Sequence, residues 1–197
     1  MEAKVAQTYL TPQEYIALER KTLPDADTVR SEYLNGEIIA MSGASFAHNL
    51  ITASMSGELR ARLKGSGCVV FANDMRVSIP LTTSYFYPDV DAVCEKPRFE
   101  DDVFDTLLTH PKVIVEVLSP STEAYDRGEK FVHYRQLQSL KEYILVSQDK
   151  VHVEHYFRPA EQWVFTDFQK LEQQLPLISI QCKLPLQEIY ALVPFPD

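Results

Sequence analysis

The chain has 197 residues, 45% of them hydrophobic and 24% charged, with 19 Lys and Arg against 28 Asp and Glu for a net charge of −9. This is the balance of an ordinary globular protein long enough to bury a core, so fibrous and disordered classes are excluded. Indiscriminate nucleic-acid binding is disfavoured too, because it needs many Lys and Arg contacts to phosphate.

A local basic patch on an acidic body stays open, with "LRARLK" at 59–64 and Arg127, Lys130 and Arg135 as its candidates. No stretch reaches the roughly 18 apolar residues of a membrane span, and "MEAKVAQTYL" lacks the basic-then-apolar layout of a secretory signal. A cytoplasmic protein with no membrane partner is expected. No Gly/Ser-rich or Pro-rich stretch divides the chain, so residues 1–197 are read as one domain. Cys68, Cys94 and Cys182 are odd in number and widely spaced, and they are expected to be free, mostly buried thiols.

In chain order, Thr11 with Pro12 and Glu14 has the layout of a helix start, and a short helix should run to about Thr22. "VRSEYLNGEIIAMSG" alternates around Asn35-Gly36 and predicts a hairpin over residues 29–42. From Ser45 onward, Ile51, Met55, Leu59 and Leu63 form a stripe down a helix ending near Gly65 and Gly67. "CVVFANDMRVSIPL" and "SYFYPDVDAVCE" have strand composition, and 113–118 is an apolar run of strand length.

After Pro120, Ser121 or Thr122 can cap a helix through "YDRGEKFVHYRQLQ", with Lys130, Phe131, Tyr134 and Leu137 on one side. "EYILV", "KVHVEHYFR" and "WVFTDF" read as strands, and the tail holds "LISIQC", then "LQEIY" as a short turn of helix. The order predicts a mixed α/β or α+β fold around one central sheet.

The chemistry concentrates in "YPDVDAV" at 87–93 and "VIVEVLSP" at 113–120. Glu116 interrupts four Val and Ile residues, where a lone charge is costly unless it is paired or binds a cation. If the two stretches are neighbouring strands, Asp89 and Glu116 come together as hard oxygen ligands suited to Mg²⁺ or Mn²⁺. Asp91 would share the face of Asp89 and is a rival ligand, with Asp89 favoured. His152 and His155 fall on opposite faces of a strand, so they are not expected to share a metal.

Together, "YPDVDAV", "VIVEVLSPST" and "YDRGEKFVHYRQLQSLKEYILV" resemble the restriction endonuclease family common in photosynthetic bacteria, a branch of the PD-(D/E)XK nuclease superfamily. "TPQEYIALE", "SEYLNGEIIAMSGAS" with His48, and "LPLQEIY" are similar to further family segments. The resemblance implies a restriction endonuclease-like core, namely a central mixed β-sheet flanked by helices, with the N-terminal helix and β-hairpin as an extension. It implies Asp89 and Glu116 as ligands of Mg²⁺ or Mn²⁺, with the Val117 carbonyl as a third.

Leu118 stands where the superfamily motif places lysine, two residues after the acid. Lys130, in a family-like "D-x-x-x-K" segment with Asp126, is the substitute. Glu32, His48 and Asp126 are auxiliary candidates. The expected activity is metal-dependent hydrolysis of DNA phosphodiester bonds by a homodimer, since two strands call for two sites related by a two-fold axis. The alternative is an inactive nuclease-fold protein that binds nucleic acid or protein, which Leu118 and the net charge of −9 would suit.

Overall fold

Thr11 and Glu14 cap each other at the start of the first helix. The Glu14 amide donates to Thr11 Oγ1 at 3.3 Å, while the Thr11 amide donates to Glu14 Oε2 at 2.8 Å. Helix α1 follows as Pro12–Thr22. The computed structural model describes residues 9–22, 30–41, 43–100 and 107–195. Strands β1 (Ser31–Leu34) and β2 (Glu37–Ala40) pair across Asn35-Gly36. Both turn residues have positive φ, 51° and 95°, as a two-residue hairpin requires. Of the hairpin predicted over 29–42, residues 29 and 42 lie outside the described residues.

Helix α2 (Phe46–Arg62) begins at Ser45, whose hydroxyl accepts from the His48 amide at 3.1 Å. Its predicted stripe is its buried face, with Ile51, Met55 and Leu59 fully enclosed. The next two stretches depart from the sequence reading, because each is two strands. The chain turns at Asn73, with φ 61°, between β3 (Val69–Ala72) and β4 (Arg76–Ile79). Residues 87–89 separate β5 (Ser84–Phe86) from β6 (Val90–Val93). Pro88 suits this break, since it has no amide to give a ladder.

There are two larger sheets where one was expected. With β8 (Val113–Leu118), β9 (Glu142–Ser147), β10 (Val153–Phe157) and β11 (Val164–Phe168), the central six-stranded sheet runs β11-β10-β9-β8-β6-β3, while β7 (Leu107–Leu108) joins the other sheet. It is mixed: β8 and β9 are parallel, whereas β8–β6 and β6–β3 are antiparallel. The second sheet runs β2-β1-β5-β4-β7.

In the tail, the chain turns back on itself in a hairpin between β12 (Gln174–Leu177) and β13 (Cys182–Pro185), with Gln181 at φ 55°. A turn of helix, α5 (Leu186–Ile189), follows. The architecture is α+β, a central mixed sheet flanked by helices.

Alternation along β8 explains the apolar run. Val113, Val115 and Val117 face a core closed by α2, α5 and the β12–β13 hairpin. Ile114 and Leu118 face a second core shared with β4, β5 and the 131–140 segment. Both faces of the strand are covered, so both are apolar. Glu116 occupies the position between Ile114 and Leu118 on the second face.

The helix predicted across 125–138 is shorter and interrupted. It consists of α3 (Glu123–Tyr125), a π-helical turn (Asp126–Lys130) and α4 (Phe131–Tyr134). The Tyr143 hydroxyl donates to the Asp126 carbonyl at 2.9 Å, so the wider turn keeps that buried carbonyl satisfied.

The cysteines also differ from expectation: Cys68 and Cys94 form a disulfide with a Cα–Cα separation of 3.9 Å, and Cys182 is free. The cause is register. Val69 pairs with Val93 in the antiparallel β3–β6 ladder, which sets Cys68 opposite Cys94.

Candidate active site

Asp89 and Glu116 meet because β6 and β8 are antiparallel neighbours. Val90 pairs with Val115, so Asp89, just before β6, falls beside Glu116. The Val117 amide donates to Asp89 Oδ2 at 2.7 Å. His48, on the first turn of α2, places Nε2 3.3 Å from Asp89 Oδ1. The π turn delivers Lys130 to Glu116, with Nζ 2.9 Å from Glu116 Oε1, 2.8 Å from Glu32 Oε1 and 3.7 Å from Asp126 Oδ1.

Glu32 comes from the N-terminal hairpin and is fixed by the Tyr87 amide, which donates to its Oε1 at 3.0 Å. All the residues singled out from sequence for the site (Glu32, His48, Asp89, Glu116, Val117, Asp126 and Lys130) therefore line one cavity of about 600 Å³. Asp91 does not line it. It shares the face of Asp89 but is 1% exposed, with neither carboxylate oxygen hydrogen-bonded, and burial pushes its pKa up to about 8. Leu118 stays in the second core. The two histidines take separate partners: His155 Nε2 lies 2.7 Å from Glu142 Oε2, and His152 Nε2 lies 3.5 Å from Asp167 Oδ2.

Five carboxylates line this cavity: Glu32, Glu116 and Asp126 stand within 4 Å of Lys130 Nζ, Asp74 is ion-paired to Arg30, and Asp89 completes the set. Burial by itself would lower the Lys130 pKa, but Glu116, Glu32 and Asp126 outweigh it and hold the ammonium well above its ordinary value. Burial raises Glu116 well above the usual carboxylate range; Lys130 opposes this, whereas Asp126, Asp89 and Glu32 add to it. Asp126 is raised as well, first by burial. Carboxyl groups crowded and raised towards the neutral form in this way are groups that a cation would hold ionised.

The residues fit a hard divalent ion as two carboxylates and a carbonyl, Asp89, Glu116 and Val117, completed by water. Among the described residues no group of three or more Asp, Glu, His or Cys side chains forms a metal site. The carbonyl and waters are therefore needed in the set.

Two tyrosines escaped the sequence reading as site residues. The Tyr134 hydroxyl donates to Glu116 Oε1 at 3.1 Å, so that oxygen receives both phenol and ammonium. Tyr125 lines the cavity, and its buried hydroxyl has no hydrogen-bond partner. Tyr134 follows Lys130 by one helical turn, and this spacing was the available signal. What its hydroxyl faces depends on strand β8.

A helix, three antiparallel strands (β3, β6, β8), a helical segment and a parallel strand (β9), with Asp89 just before the second strand and Glu116 on the third, make up the restriction endonuclease-like core. The protein is thus of the nuclease-fold class. Over residues 12–187 the chain matches the family model Uma2, described as "Putative restriction endonuclease".

It is similar to two proteins of Synechocystis sp. (strain ATCC 27184 / PCC 6803 / Kazusa). One, "Uncharacterized protein sll1609", is 38% identical over 159 residues, covering 80% of this chain and 86% of the relative. The other, "Uncharacterized protein slr1290", is 35% identical over 182 residues, covering 92% and 91%. A crystal structure described as a putative nuclease belonging to DUF820, from Anabaena variabilis ATCC 29413, superposes with a TM-score of 0.74 at 17% identity. The match covers 94% of this chain and 99% of that one, and it bears on fold. The chain belongs to the Uma2 family.

Proposed function

We propose that the protein is a metal-dependent endodeoxyribonuclease that hydrolyses DNA phosphodiester bonds, acting as one domain, as a homodimer and in the cytoplasm. The observation that carries the proposal is the Lys130 ammonium, 2.9 Å from Glu116 on a strand whose own motif position holds Leu118. Burying a lysine from another element is costly, and this one is set against the carboxylate at the place where the motif lysine is missing. This favours the active reading over the inactive binding module.

Asp89, Glu116 and the Val117 carbonyl would hold Mg²⁺ or Mn²⁺. When bound, the ion supplies Lewis acidity, making a water more acidic and offsetting charge on the scissile phosphate. Lys130 keeps its proton, so its role is to donate to a phosphate oxygen as negative charge develops there. Glu32 and Asp126 hold the ammonium in place, Tyr134 orients Glu116, and His48 orients Asp89.

The test is cleavage of supercoiled plasmid with Mg²⁺ or Mn²⁺, comparing wild type with Glu116→Ala prepared identically, with a chelator control. Cutting by wild type alone is expected, with a loss of at least about 100-fold in the variant. Equal cutting by both would sink the assignment.

A further inference from the structure

The N-terminal helix lies outside the nuclease core, yet a closed ring of bonds ties it to the cavity. Glu19 of α1 takes one donor on each carboxylate oxygen: the Ser31 hydroxyl at 2.8 Å on Oε1 and the Tyr87 hydroxyl at 2.8 Å on Oε2. Ser31 is the neighbour of Glu32 on β1, and the Tyr87 amide donates to Glu32 Oε1 at 3.0 Å. The peptide between Ser31 and Glu32 closes the ring. All four of its members, Glu19, Ser31, Glu32 and Tyr87, are buried.

The ring bears on one atom of the site. Glu32 Oε1, which accepts from the Tyr87 amide, also stands 2.8 Å from Lys130 Nζ. Tyr87 lies between β5 and β6, outside the ladders of both, and two residues before Asp89. Its hold on Glu32 therefore follows where its side chain is fixed. That side chain is fixed by Glu19 and by the Arg76 guanidinium, which lies 5.6 Å from the Tyr87 ring centroid and 3.6 Å from Glu19 Oε2.

Helix α1 could dock on apolar contacts alone, but these are non-directional, whereas each hydrogen bond of the ring fixes a distance and an angle. Direction matters at this spot, because displacing a reacting group by about 1 Å can cost about a hundredfold in rate.

We propose that Tyr87, gripped by Glu19 of the N-terminal helix, is a positioning residue that sets Glu32 against the Lys130 ammonium, which makes α1 a part of the site. This rests on the nuclease reading and extends it to a layer outside the core. Tyr33 supplies the comparison that a merely structural role calls for. It follows Glu32 on β1, and its hydroxyl donates to the Leu10 carbonyl at 2.7 Å, which is no member of the ring.

Two measurements on Tyr87→Phe, Ser31→Ala and Tyr33→Phe test it, each variant lacking one hydrogen-bonded hydroxyl. In metal-free protein carrying isotope-labelled lysine, the Lys130 ammonium resonance should move in the first two, which open the ring at different bonds, and stay in place in the third. With Mg²⁺ and supercoiled plasmid, kcat should fall about tenfold in the first two with KM unchanged, because Lys130 acts on charge that develops in the transition state. Tyr33→Phe should cut at the wild-type rate. An unmoved Lys130 resonance or an unchanged kcat in Tyr87→Phe overturns the inference and leaves the nuclease reading intact; should that variant fail to fold, Ser31→Ala carries the same decision. A kcat that falls as far in Tyr33→Phe also overturns it, since the loss would then follow stability alone. If wild type does not cut at all, the nuclease reading fails, and the resonance by itself decides whether the ring sets the lysine.

Discussion

Lys130 Nζ and Glu116 Oε1 stand 2.9 Å apart on side chains only 6% and 4% exposed, and this pair sets the electrostatics of the whole site. Glu32 and Asp126 lean on the same ammonium. The two members of the pair are therefore unequal: removing the lysine leaves buried carboxylates facing one another, whereas removing Glu116 leaves the lysine still compensated.

Lys130→Met should accordingly lower stability by about 3–5 kcal/mol, the cost of uncompensated buried charge. Glu116→Gln should leave the melting temperature unchanged or raise it. Thermal denaturation of both variants at neutral pH checks the contrast. A Lys130→Met protein as stable as wild type would contradict the charge arrangement described here.

Metal binding should be visible without any nucleic acid. A cation seated among Asp89, Glu116 and the Val117 carbonyl binds only the folded state, so saturating Mg²⁺ or Mn²⁺ should stabilise the protein by about 2–3 kcal/mol at a hundredfold excess over Kd. EDTA should reverse the shift. Asp89→Asn and Glu116→Gln should each abolish it, and a shift of equal size in both variants would place the ion elsewhere.

His133 should contribute to acid sensitivity. It is 8% exposed, with Nδ1 3.2 Å from Ser84 Oγ, and burial holds its pKa below the ordinary value, with Glu129 opposing. The unfolded chain then takes up the proton first, as pH falls through about 6.5. Its contribution is thus fully present above that pH and is lost as pH drops towards the folded value. Between pH 7.5 and 5.5, His133→Asn should lose less stability than wild type. Parallel pH profiles for the two proteins would show that the imidazole titrates alike in both states.

The Cys68–Cys94 bond predicts a thiol count. Denatured without reductant, each chain should expose one reactive thiol, Cys182, and after reduction three. With a sequence separation of 26 between the cysteines, replacing both by Ser should cost about 3.5 kcal/mol on the loop-closure account. Three thiols reacting before reduction would mean that the bond is not formed in solution.

Much of this protein can be read locally. The Thr11–Glu14 box, the Asn35-Gly36 turn, the α2 stripe and strand β8 are each encoded within a few neighbouring residues, because capping, turn chemistry and hydrophobic period act at that range. Glu116 announced itself by breaking an apolar strand, and the resemblance paired it with Asp89 and Lys130.

Long-range contacts decided the rest. The breaks at Asn73 and at residues 87–89 follow from two sheets competing for consecutive strands, although strand composition is the same on either side. The π turn is tied down by Tyr143 from strand β9, and the disulfide by a register set between strands far apart in sequence. The Tyr134 and Tyr125 hydroxyls have their surroundings set by elements remote in the chain. A side chain's type is local, but the group it faces depends on which distant segments fold against it, and only the tertiary structure decides that.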